Sequence, residues 1–182
     1  MWRIAIVTLA IWTSGARAED AAYSFVWEGA GGYEMRGAMA FDADLLSQPE
    51  ITQSDLTCFV IEGTRDGAPL GRWALSMLNE ETSWLLRFRP GASEFVVWGE
   101  GAQMPQAWNM DGWGTDCGPG GFGFNIGGQA QDLCVDGRLM QDSQVPPPRP
   151  FPALRNDDVA FSADACMAPF LMGALGRSAR YR

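Results

Sequence analysis

The chain of 182 residues carries 22 acidic side chains against 13 basic ones, a formal net charge of −9, and it has no histidine. Every basic residue is an arginine, which excludes histidine general bases, lysine Schiff bases and the common histidine-bearing zinc sites. So acidic a surface repels phosphate backbones and anionic headgroups, excluding nucleic acid and acidic lipid as partners.

At the start of the chain Arg3 precedes an apolar run over residues 4–12, and the stretch closes on Ala16, Arg17 and Ala18. A charged start, a short apolar core and a small-x-small site predict a secretory signal over residues 1–18, too short to span a bilayer. The mature chain is then expected to begin at Glu19, periplasmic or secreted. It keeps 164 residues, with 11 arginines against 22 acids and a net charge of −11. That length supports one domain with a real core.

Aromatic alternation opens the mature part. Tyr23, Phe25 and Trp27 share one phase of a period-two pattern, with Ala22, Ser24 and Val26 in the other. Glycines at 29, 31 and 32 predict a tight turn. A second alternating run places Tyr33, Met35, Gly37, Met39 and Phe41 on one face, so residues 22–41 read as a hairpin. Residues 42–53 are expected to hold a short helical turn or an irregular loop. Strands are predicted over 56–62 and 70–76 about an Asp66-Gly67 turn, then over 83–89 and 94–99 about Pro90-Gly91. Shorter strands are expected at 122–126 and 132–136, before a second Asp-Gly turn at Asp136-Gly137.

Many short strands, broken by Gly and Pro turns and by no long helical period, predict an all-β fold. The expected form is a β-sandwich or open barrel of antiparallel strands over residues 19–145. Residues 146–152 are rich in proline and predict an extended strap. It would lead to a tail, within 146–182, ending in a short C-terminal helix around 168–180. The apolar run at 170–175 is too short to cross a membrane, so no membrane span is expected once the signal is removed.

Four cysteines, Cys58, Cys117, Cys134 and Cys166, lie in the mature part. An even count in an exported chain predicts two disulfides, with three possible connectivities. Cys117 and Cys134 bracket a Gly-rich loop and the strand after it, so they are paired here, leaving Cys166 to staple the tail to Cys58. Each bridge is worth about 2–4 kcal/mol, mostly through the unfolded state.

The segment 23–41, with its aromatic strand, Gly-rich turn and second strand ending in Phe41-Asp42, resembles the opening of exported all-β bacterial proteins, some of which carry a PEP-CTERM sorting tail. The resemblance continues through residues 51–56, 121–125 and 131–137, about half of the mature chain. A Pro-Glu-Pro sorting motif is lacking. The resemblance therefore implies a soluble, β-rich relative in the envelope of a Gram-negative bacterium, and supplies no catalytic residues.

The richest candidate site is the loop 108–116. Glycines let backbone approach a ligand closely, and Trp108 and Trp113 would stack on sugar rings while Asn109, Asp111 and Asn125 bond hydroxyls. A rival is calcium: Asn109, Asp111, Thr115 and Asp116 offer hard oxygen ligands, although Trp113 stands where another ligand would belong. The plain structural alternative is a disulfide-pinned turn whose Asp and Asn side chains bond their own backbone. For catalysis only carboxylates are available. A glycan hydrolase needs two facing each other at about 5–9 Å. Glu94 and Glu100 lie too far apart along a strand rising ~3.3 Å per residue. The sequence thus favours a non-catalytic envelope protein, binding a glycan or another envelope protein, over a calcium-stabilised structural domain or a hydrolase.

Overall fold

The computed structural model describes residues 20–166; the expected signal at 1–18 and the expected terminal helix lie outside them. Thirteen strands follow in order. They are β1 Asp20–Glu28, β2 Tyr33–Asp42, β3 Ile51–Thr52, β4 Leu56–Arg65, β5 Ala68–Ala74, β6 Ser83–Leu85, β7 Arg87–Arg89, β8 Glu94–Phe95, β9 Gln106–Met110, β10 Phe122–Ile126, β11 Gln131–Val135, β12 Arg138–Leu139 and β13 Phe151–Arg155. Between them run only short 3-10 turns, such as Ala43–Ser47. Among the described residues no helix is long and apolar enough to cross a membrane.

All pairings are antiparallel, and they build two sheets. The larger has eight strands in the order β3-β7-β8-β13-β1-β2-β4-β5 and curls as a half-barrel; the smaller has five, β12-β11-β10-β9-β6. The fold is all-β, as its sequence predicts.

The aromatic hairpin is in register from Asp20 opposite Asp42 to Glu28 opposite Glu34, with Gly31 and Gly32 at φ 59° and 79° in its turn. Its inward phase drives the packing. Tyr23, Phe25, Trp27, Met35, Met39 and Phe41 are all buried in one core with the rings of the smaller sheet. Glycine makes the close approach possible: a Cβ on Gly63 would meet the Phe122 ring at 2.3 Å, and one on Gly71 would meet the Phe122 Cβ at 2.7 Å. Phe122 thus seats the smaller sheet onto β4 and β5.

Four elements differ from the sequence expectation. Of the strand expected over 94–99 only Glu94–Phe95 forms, as β8. The run 83–89 is two strands, because the chain passes from the smaller sheet to the larger at the fully buried Leu86. Gln106–Met110, read as part of an exposed loop, is an interior strand of the smaller sheet with every residue buried. The proline-rich strap leads straight into β13, which lies between β8 and β1, so the sandwich extends beyond residue 145. Buried Gln131 fixes the strap, donating from Nε2 to the carbonyls of Pro147 and Arg149 and accepting from the Trp27 indole at 2.9 Å.

Both disulfides join the expected pairs, Cys117 to Cys134 and Cys58 to Cys166. The second pins the segment after β13 across Ala22 and Ala40, with Val159 and Phe161 packed beside it. Arg72 holds the same segment, reaching both oxygens of Asp164 at 2.5 and 3.0 Å. Two disulfides fit an oxidising compartment.

Candidate functional site

The inner strands of the smaller sheet, β9, β10 and β11, are buried on both faces. One face carries Trp108, Phe124 and Leu133 into the main core. Period-two geometry therefore turns the neighbouring row, Ala107 on β9, Asn125 on β10 and Asp132 on β11, to the opposite face. The segments 98–104, 112–115 and 127–129 rise around that row and enclose a cleft of about 860 Å³.

Two tryptophans stand at the cleft, Trp113 at 84% exposure and Trp98 at 39%. Leu85, Met104, Ala107 and Leu139 supply apolar wall. The polar group is a chain of amides about one carboxylate. Asn125 donates from Nδ2 to one oxygen of Asp132, and Gln144 donates from Nε2 to the other at 3.0 Å. Asp132 is 3% exposed. Burial pushes its carboxyl above the usual range, while the bonds from Gln144 and Asn125 oppose that rise.

The expected site residues separate sharply. Trp113 and Asn125 both line the cleft, as does Thr115. Trp108 does not belong there. It is fully buried and its ring lies within 4.9–6.0 Å of Phe25, Phe59, Phe95, Phe124 and Phe151, so no sugar reaches it. Asn109 is buried too, donating from Nδ2 to the Phe122 carbonyl at 2.9 Å from a backbone at φ 54°.

Asp111 organises its own turn. One oxygen accepts from the N–H groups of Trp113 and Thr115, and the other accepts from the Thr115 hydroxyl at 2.6 Å. Burial acts to raise its pKa, but these bonds outweigh it and leave the carboxyl lowered. Asp116 accepts from Gly118 N–H at 2.7 Å. The four proposed calcium ligands thus do not converge: Asn109 points at a strand carbonyl, and Asp111 and Asp116 bond loop amides. Among the described residues no group of three or more acidic or cysteine side chains is placed to hold a metal ion.

What the turn does is carry Trp113. Gly114, at φ 72°, sits directly against Asn125: a Cβ there would come within 2.9 Å of the amide oxygen. That contact holds the tryptophan-bearing loop over the polar row, with the Cys117–Cys134 bridge tying the loop's far end to β11.

Sequence reasoning missed Trp98, Asp132 and Gln144. The signal for Asp132 is present, since it falls out of phase with Leu133 in a strand whose partner places Asn125 opposite it. Trp98 falls in the strand expected over 94–99, of which only Glu94–Phe95 forms, and Gln144 lies in a segment without periodicity. Comparison with protein-family models, curated proteins and solved structures gives no match.

Proposed function

We propose that this protein is an exported, non-catalytic binding domain of a Gram-negative cell envelope, and that it takes a glycan in the cleft over β9, β10 and β11. The observation that carries this reading is the pairing of two exposed tryptophans with a recessed amide–carboxylate group. Ring faces cover the apolar side of a pyranose while amides and carboxylate exchange hydrogen bonds with its hydroxyls, the usual division of labour in a concave site. Among the described residues Asp132 is the single ionisable one lining the cleft. Double-displacement chemistry between two facing carboxylates has no second member there.

Export is part of the same proposal: residues 1–18 direct the chain out of the cytoplasm, into the periplasm or beyond, where both bridges form. Intact mass and N-terminal sequencing of the product recovered outside the cytoplasm should begin at Glu19.

Binding is tested by calorimetric titration of the oxidised mature chain against a panel of neutral, acetylated and amine-bearing oligosaccharides. At least one should bind, and Trp113→Ala should weaken it by roughly thirtyfold, the effect of losing a central aromatic anchor worth about 2 kcal/mol. An unaltered affinity in both Trp113→Ala and Trp98→Ala would remove the cleft from consideration.

A further inference from the structure

Among the described residues the cleft holds one charge and nothing that balances it: Asp132 is their only ionisable member lining it. Elsewhere among the described residues several less buried carboxylates are paired with arginine, among them Glu50 with Arg87 at 2.6 Å, Asp164 with Arg72 at 2.5 Å and Glu100 with Arg89 at 2.5 Å. Asp132 is the most deeply buried acid among the described residues, yet neutral amides hold both of its oxygens. Amides orient a carboxylate without cancelling its charge, and taking an unbalanced carboxylate out of water is costly. Burial pushes its pKa up accordingly.

The missing partner is a cation, and none of the described residues provides one. The chain contains neither lysine nor histidine, and among the described residues no arginine lines the cleft. The tryptophans act in the same direction. A positive group near an indole face is drawn to the negative side of the ring quadrupole, more strongly where water is excluded. The net charge of −9 adds a long-range field that attracts cations and repels uronic acids and phosphorylated sugars.

We infer that the ligand of this cleft is a glycan bearing a free amine, an amino sugar without its acetyl group, whose ammonium takes Asp132 as counter-ion while a neighbouring ring stacks on Trp113. The inference rests on the reading of the cleft as a glycan site and adds the charge of the ligand to it. The ammonium donates to carboxylate lone pairs left over after the bonds from Asn125 and Gln144. An acetylated amine keeps the size and loses the charge, so the two forms of one oligomer isolate the effect.

The test is a calorimetric comparison of the glucosamine tetramer, its fully N-acetylated form and a neutral glucose tetramer, titrated into the oxidised mature chain. The amine-bearing tetramer should bind roughly tenfold tighter than the other two, an advantage that shrinks as salt rises. Asp132→Asn should abolish that preference, bringing the amine-bearing tetramer to the affinity that the same variant shows for the other two. Equal affinity for all three tetramers overturns the amine and leaves the glycan reading standing. So does binding of some other neutral glycan when the three tetramers fail. Silence across the whole panel overturns both. Because the amine and its acetylated form are compared on the unaltered protein, the result holds even where the Asp132 variant does not fold.

Discussion

Trp108 and Trp113 sit five residues apart and do opposite things, and truncating each to alanine separates fold from function. Trp108 is fully buried against five aromatic rings, and its indole N–H donates to Gln106 at 3.2 Å. A buried tryptophan removes ~200 Å² from water. At ~25 cal/mol per Å² the transfer term is ~5 kcal/mol. Measured Trp→Ala losses fall near 3–5 kcal/mol once partial collapse of the cavity is allowed for. Against a total stability of about 5–15 kcal/mol, Trp108→Ala should leave a chain close to its unfolding threshold. Trp113, at 84% exposure, touches little, and its truncation should move stability by no more than about 0.5 kcal/mol. Guanidinium unfolding followed by far-UV circular dichroism, on oxidised protein, measures both. A loss below ~1 kcal/mol in Trp108→Ala would refute its place in the core. A loss above ~2 kcal/mol in Trp113→Ala would mean that the ring is packed, not presented to a ligand.

Four further outcomes follow from the structure. Arg72 holds the Asp164 carboxyl down to about 2, chiefly through their hydrogen bonds. A depressed folded pKa gives stability that is present above the unfolded value of about 3.9 and lost as pH falls through the folded one. Asp164→Asn should therefore flatten the acid side of the melting profile between about pH 4 and 2; an unchanged slope there would show that the contact contributes nothing. Gly63→Ala would press a methyl into the Phe122 ring and should lose about 1–3 kcal/mol, recovered in part by Phe122→Leu. Gly67→Ala meets open space at φ 81°, so its loss of about 1–2 kcal/mol should be recovered by Asn, a residue that tolerates that backbone. Finally, calcium or a chelator should leave the thermal midpoint unmoved, because Asp111 already accepts three bonds from its own loop. A calcium-dependent rise that disappears in Asp111→Ala would establish the metal site after all.

The large sheet was readable because half-buried strands write their register into the chain. The aromatic phase of Tyr23, Phe25 and Trp27 continues directly into the core, and the Asp-Gly pairs turn the chain with Asp66 and Asp136 at φ 50°. The smaller sheet was harder to read for the same physical reason. Its inner strands are covered on both faces, by the main core inside and by Met110, Cys117, Cys134 and the cleft loops outside. Gln106–Met110 therefore shows no alternation of apolar and polar, and its glutamine and asparagine look like loop chemistry. In the structure Gln106 is a buried bracket. Its Nε2 donates to the carbonyls of Arg87 at 2.7 Å and Val96 at 2.9 Å, tying β9 to the backbone just beyond the change of sheet at Leu86.

That double covering also explains why the cleft lies where it does. A sheet whose outer face is roofed by loops has interior positions that are not core, and polar side chains can be held there away from water. Asn125 and Asp132 occupy directly opposed positions on β10 and β11, so the strands themselves set their spacing. The loop that roofs them is fixed at one end by the Cys117–Cys134 bridge and inside by the bonds to Asp111. Rigid backbone thus positions the polar group while a pinned loop presents Trp113, and neither part depends on a long-range motif that a reading of the chain would detect. The acid in the middle is costly for the fold to keep. Without the ligand cation it is an unbalanced charge in a sheltered site; with it, the same residue sets the sign of what the cleft admits.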